Sequence, residues 1–250
     1  MINTNPIFKV AVLLFFATII SSFYSTRNHN TNFQNYCWPV LGKSDTTLVY
    51  KYEMSCIDYD KKWYRYFKIK SFTDHEIRYF DYQIYNNELE LETHYRYQLD
   101  HLGIKLKAME TNCGAKEYLK GKIDQDRVFD WNLKKGKTCS SSMIFDDYQG
   151  NQEMTVISNS KFEGNGGKIH YHDAKLPAIM FSRNVTSLIN GDSTKTRGVS
   201  YYAKGIGYYA SHIVLNETIE FDEVLVDILP KTNWELIQKE RANPTDKPED

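Results

Sequence analysis

Hydrophobic and polar positions along these 250 residues follow two rules, one near the N-terminus and another from about residue 36 onward. The first is an uncharged, largely apolar run from Val10 to Phe23, behind Lys9 and ahead of Ser25-Thr26-Arg27-Asn28. A positive end, a hydrophobic segment of this length and a polar exit suit a secretory signal, whereas crossing a bilayer comfortably takes roughly 20 apolar residues. Residues 1–25 are therefore expected to be a signal peptide or an N-terminal anchor. The small residues near its exit are Ser21, Ser22 and Ser25 rather than an Ala-x-Ala, so cleavage and retention both stay open. Cys37 lies too far downstream to carry a lipid. Residues 26–35 read as a linker, 36–237 as a single β-rich domain and 238–250 as a disordered polar tail. The protein is expected outside the cytoplasm: periplasmic, at the cell surface or secreted.

The second rule is alternation. From Glu88 to Leu99 the odd positions are apolar, aromatic or Thr93 and the even ones charged or polar, which is the period of a strand with one buried face. Polar turns cut the region before it into strands at 46–57, 63–71, 76–85 and 88–99. If Asn86-Asn87 is a two-residue turn, Ile84 faces Leu89, Tyr82 faces Leu91 and Phe80 faces Thr93. One inner face then gathers Phe80, Tyr82, Ile84, Leu89, Leu91, Tyr95 and Tyr97, and Leu48, Tyr50, Tyr52, Met54 and Cys56 share another. Further strands are expected at 103–107, 127–133, 153–158, 168–172, 178–181, 199–203, 208–214 and 221–229. Cys139–Asp147 reads as a loop and Phe162–Gly167 as a turn. Gly205 and Gly207, two residues apart in strand-like sequence, suggest a bulge or a close backbone approach. The pattern predicts a mostly β fold: one antiparallel meander forming a strongly curved sheet or partly open barrel, with little helix and no amphipathic helix of four turns.

Composition adjusts this picture in three places. Nineteen tyrosines and thirteen phenylalanines against six prolines favour strands with one wet face. A net charge of −1 gives no global field for nucleic acid or an anionic membrane, and Lys134-Lys135-Gly136-Lys137 reads as a solvated turn. No nucleic-acid partner is expected, and membrane contact only through an uncleaved N-terminus. Four cysteines bound for an oxidising compartment, Cys37, Cys56, Cys113 and Cys139, are expected to form structural disulfides; of three connectivities, Cys37–Cys56 with Cys113–Cys139 is preferred because neighbours in sequence close the shorter loops.

Two places carry a family resemblance: Tyr36-Cys37-Trp38-Pro39-Val40-Leu41-Gly42 followed by Val49-Tyr50-Lys51-Tyr52-Glu53, and Tyr202-Ala203-Lys204-Gly205-Ile206-Gly207. With them the chain resembles TapB-like exported proteins over most of its mature length. The resemblance implies an antiparallel β architecture, no established reaction, and fold-defining roles for Pro39, Gly42, Gly205 and Gly207.

Candidate chemistry is sparse. In His170-Tyr171-His172-Asp173 a strand would aim both histidines to one face, where they could share a metal with Asp173 near; the alternative is an exposed strand end. Serine elbows, a zinc-protease helix and a phosphate loop all lack essential positions. Glu88, Glu90 and Glu92 read as a solvated strand face. The chain is accordingly expected to be a non-enzymatic envelope or secreted protein, without cofactor, that binds an apolar or carbohydrate-like ligand on the inner face or meets an envelope protein partner. A metal-dependent hydrolase using His170, His172 and Asp173 and a purely structural module are the alternatives.

Overall fold

The computed structural model describes residues 33–36, 38–56, 61–112, 119–130, 133–146, 153–189 and 192–242. Its strands are β1 (Thr47–Cys56), β2 (Lys61–Asp74), β3 (Ile77–Tyr85), β4 (Leu91–Leu99), β5 (Gly103–Thr111), β6 (Leu119–Gln125), β7 (Arg127–Asp130), β8 (Thr138–Asp146), β9 (Glu153–Tyr171), β10 (Ala174–Ile189), β11 (Asp192–Ala203), β12 (Gly207–Leu215) and β13 (Ile219–Pro230), followed by one helix, α1 (Lys231–Ala242). Successive strands pair antiparallel, with β6 and β7 sharing β5 as one interrupted strand. The last strand returns to the first, from Leu48 opposite Pro230 to Cys56 opposite Phe221. The result is a closed antiparallel barrel of 12 strands, in which the curved meander foreseen from alternation closes on itself.

Alternation sorts the side chains as the pleat requires. Tyr50, Tyr52, Met54 and Cys56 of β1 point into the core, and Lys51, Glu53 and Ser55 point out. Lys68 and Lys70 on β2 and Asp81 and Arg96 on β3 and β4 likewise line the exterior, which is the reverse of a barrel facing lipid. An apolar exterior cluster lies under α1, where Trp234 packs against Tyr66 and Tyr85 with ring centroids 5.2 and 5.1 Å away.

Four expectations need correction. The β3–β4 connection is longer than two residues: Asn86 NH donates to Glu90 O, Asn86 Oδ1 accepts from Glu90 NH, and Leu89 adopts φ 64°. Tyr82 therefore faces Tyr95 and Phe80 faces Tyr97, and a bulge after Ile84 sets Tyr85 opposite Leu91. Leu89 and Leu91 leave the inner face and join the outer cluster with Trp234. Phe162–Gly167 is no turn but the middle of the 19-residue β9, where Gly164 (φ 105°) and Gly167 (φ 83°) sit beside two register shifts against β10. Cys139–Asp146 belongs to β8, its serines tolerated because the ladders to β6 and β9 satisfy the backbone. Finally, α1 runs to Ala242, so residues 238–242 are helical and not part of a disordered tail; 243–250 lie outside the described residues.

The cysteines also depart from expectation. Cys56 is a free thiol, 4% exposed at the inner end of β1, where it packs as a small apolar side chain, so no Cys37–Cys56 disulfide forms. Cys139 is buried in the same core, while Cys37 and Cys113 lie outside the described residues. Alkylation without reductant should leave Cys56 unmodified in native protein and modify it fully in denaturant, as read by peptide mass; a Cys56-containing disulfide peptide would refute this.

Candidate functional site

One mouth of the barrel is closed by the chain that enters it. Two short 3-10 turns, Phe33–Tyr36 and Pro39–Gly42, lead Trp38 into the lumen, where it is 1% exposed and rests on Tyr82 and Tyr50, with centroids 5.4 and 6.3 Å away. Gly207 makes this possible: a Cβ there would lie 2.7 Å from Trp38 Cδ1 and 2.8 Å from Trp38 N, and its φ is 97°. The close approach foreseen for this glycine pair is thus with the plug itself. Gly205 (φ 79°) donates its NH to Asn35 O, Arg78 donates to Leu41 O and Ser71 to Lys43 O, which tie the plug to the β11–β12 turn and to β2 and β3. Pro39 opens the second 3-10 turn. Gly42 has neither a left-handed backbone nor a neighbour that a Cβ would meet.

The β9–β10 hairpin arches over the same mouth. Ile169, Tyr171 and Leu176 pack on the core while Lys168, His170 and Lys175 are exposed, and Tyr209 of β12 donates its hydroxyl to His170 O at 2.6 Å. The strand ends at Tyr171. His172 (φ 48°) and Asp173 form the turn, so the alternation that would set His170 and His172 on one face stops one residue too early. Among the described residues no three His, Cys, Asp or Glu side chains converge as a metal site.

The aromatic inner face is core. Phe80, Tyr82, Ile84 and Tyr95 have no solvent-accessible surface and Tyr97 has 1%, so no space the size of a water touches them. Phe80 stacks on Tyr97 at 5.0 Å and Tyr82 tilts against Tyr95 at 6.0 Å. Across the β1–β13 seam Tyr52 and Phe67 meet Tyr208 at 5.2 and 6.2 Å, so the aromatic face continues from β2 round to β12.

Polar groups are embedded in this packing. Glu223 (β13) and Arg183 (β10) are both inside, at 0% and 1% exposure. Small residues stand opposite Arg183 on both neighbouring strands, Ser160 and Gly198, which leaves the guanidinium room to reach across toward Tyr82, Tyr97, Tyr202 and Tyr208. Tyr208 Oη contacts Glu223 Oε2 and lies 2.7 Å from Ser211 Oγ, and Tyr52 donates its hydroxyl to Tyr208 O at 2.8 Å. Arg65, also inside, pairs with Glu92 at 2.7 Å. Burial pushes the Glu223 carboxyl up to about 8, against the opposing pull of Tyr208, Arg65 and Arg183, so near neutral pH it is a protonated acid. Burial likewise keeps Tyr52, Tyr82, Tyr97 and Tyr208 protonated. Sequence reasoning passed over Arg183 and Glu223, although alternation marks both: Phe181-x-Arg183-x-Val185 and Phe221-x-Glu223-x-Leu225 each set a charge on an apolar face. Chemically the cluster can store or release a proton, but it is sealed from any substrate by the side chains around it.

No family model matches the chain, and no curated protein matches it. Among solved structures it is similar to one provisionally described as a lipoprotein from Parabacteroides distasonis, at 10% identity and a TM-score of 0.48 over 77% of this chain and 99% of the other. It is also similar to one provisionally described as an exported protein with a YmcC-like fold from Bacteroides fragilis, at 10% identity and 0.47 over 75% and 96%. For the hypothetical lipoprotein YmcC from Escherichia coli the values are 9% and 0.36 over 76% and 88%. Correspondence at this level says nothing about what the chain binds.

Two outcomes follow from the geometry. Gly207→Ala should lower stability in urea by about 2–4 kcal/mol, through both the clash with Trp38 and the left-handed backbone, while Gly42→Ala stays within about 0.5 kcal/mol of the parent. For Glu223 the folded carboxyl titrates at about 8 and a free glutamate carboxyl at 4.5, so between those values only the folded state holds the proton. Stability should then fall as pH rises through that window, by on the order of a few kcal/mol, and level off above it. Glu223→Gln should flatten the slope in thermal or urea unfolding; an unchanged slope would place the titrating group elsewhere.

Proposed function

We propose that this chain is an exported, non-enzymatic protein of the envelope or secreted space, whose filled barrel is a rigid support and whose capped mouth is a surface for a partner. The observation that carries the reading is the state of the lumen: the side chains that could have lined an apolar pocket are spent on one another, and Trp38 occupies the entrance above them. The apolar run Val10–Phe23 supports the exported address. A ligand carrier would have to withdraw Trp38 and part Tyr52, Phe67 and Tyr208 before anything could enter. Specificity in such a protein resides in the exposed mouth, built from the plug, the β11–β12 turn and the β9–β10 hairpin, which several independent hydrogen bonds hold in fixed relation.

Titration with an environment-sensitive apolar dye tests this directly. Native protein should show no saturable one-to-one uptake and no change in tryptophan emission. Saturable uptake that quenches Trp38, and that Trp38→Ala enhances, would replace the scaffold reading with a carrier.

A further inference from the structure

The fold collects positive charge that the sequence disperses. Three segments meet at the capped mouth: the turn 133–137 before β8, the hairpin stretch 161–175, and the turn 204–206 between β11 and β12. Together they hold seven lysines, Lys134, Lys135, Lys137, Lys161, Lys168, Lys175 and Lys204, and only two acids, Glu163 and Asp173. Hydrogen bonds fix them together. Gly136 NH donates to Phe162 O at 2.7 Å, and Phe162 NH donates to Lys137 O at 3.0 Å, which seats the first turn on β9. Lys204 NH donates to Pro177 O at 2.9 Å, and Pro177 stands opposite Lys168 as Lys175 stands opposite His170. Glu163 is already engaged by Lys161 at 3.0 Å and by Ser182 at 2.6 Å. The other six lysines are exposed and make no ion pair among the described residues. Asp173 at the hairpin tip and Asp227 of β13, which lies near Tyr171, are the acids that oppose them.

The same mouth receives the N-terminal chain. Asn35, bonded to Gly205 beside Lys204, lies just after Phe33, and the residues between Phe23 and Phe33 can span at most about 30–35 Å when extended. An apolar run held in a bilayer would therefore keep this lysine-bearing end, rather than the opposite one, within reach of the headgroups. Lysines that outnumber the acids on one face repel each other, and an anionic surface at contact distance relieves that repulsion.

We propose that the lysine-bearing mouth docks on an anionic lipid surface, with Lys168, Lys175 and Lys204 at its centre. This rests on the reading of the mouth as a partner surface and names the partner. The test is flotation of the full chain with vesicles of phosphatidylcholine alone or of phosphatidylcholine with phosphatidylglycerol, over a range of salt. Because the apolar run contributes equally to both, the difference between them isolates the lysines. Wild type should favour the anionic vesicles, less so as salt rises, and Lys168→Gln/Lys175→Gln/Lys204→Gln should cut that preference on the order of 100-fold. Lys61→Gln/Lys107→Gln/Lys195→Gln, with the same loss of charge away from the mouth, should keep most of it. Equal partition of wild type onto both vesicles, or a preference that the first triple variant leaves intact, overturns the proposal. So does binding to a short DNA duplex that the first triple variant abolishes while vesicle partition is unchanged. Failure here leaves the scaffold reading standing, since that falls only to dye uptake.

Discussion

The ladder between β1 and β13 is the interaction on which everything else depends. Without it the meander is an open sheet with two bare edges, and the inner aromatic face of β1 to β4 has nothing opposite it. With it, Tyr52 and Phe67 come against Tyr208 across the seam, and Arg183 of β10 is set toward Tyr82 and Tyr97 from the far side. Trp38 and α1 then secure the seam from inside and outside: the indole of Trp38 lies on Tyr50 of β1, and Trp234 covers the outer cluster that includes Val49 of β1 and Leu229 of β13.

An apolar lumen that also contains Arg183, Glu223, Arg65 and several tyrosine hydroxyls is an uncommon use of interior space. Charges taken from water are costly unless neighbours compensate them, and here compensation takes several forms. Arg65 has a carboxylate partner, Glu92. Arg183 lies among Tyr82, Tyr97, Tyr202 and Tyr208, whose electrostatic influence favours its charge against the cost of burial. Glu223 avoids the cost by keeping its proton. The core is therefore specified by directional contacts as well as by shape, which fits a barrel whose walls must meet in one register only.

Much of the fold was legible from alternation. Glu88–Leu99, Thr47–Cys56 and Ile77–Tyr85 each declare a buried and an exposed side, and Gly205 and Gly207 declare an anomaly that the Trp38 contact explains. What alternation could not carry is connection geometry. Leu89 in a left-handed conformation is a rare choice, and the β3–β4 register is displaced by four residues, with Leu89 and Leu91 turned outward while Phe80, Tyr82, Tyr95 and Tyr97 stay inward. The glycine-rich stretch of β9 looks like a turn because glycine serves turns and bulges alike, and only the presence of β10 alongside decides between them. The site was less legible than the fold. The lysines at the mouth come from stretches separated by up to 70 residues, and no local window shows them as one surface.

Pairing the first strand with the last has a temporal side. During synthesis β1 emerges early and pairs with β2, to which β3 and β4 add in turn, but its remaining partner is made nearly last. Until β13 appears, the growing chain is an unsealed sheet whose inner face has no opposite wall. A polypeptide threaded across a membrane from its N-terminus would thus complete the crossing before the barrel could shut, so the topology itself defers folding to the far side.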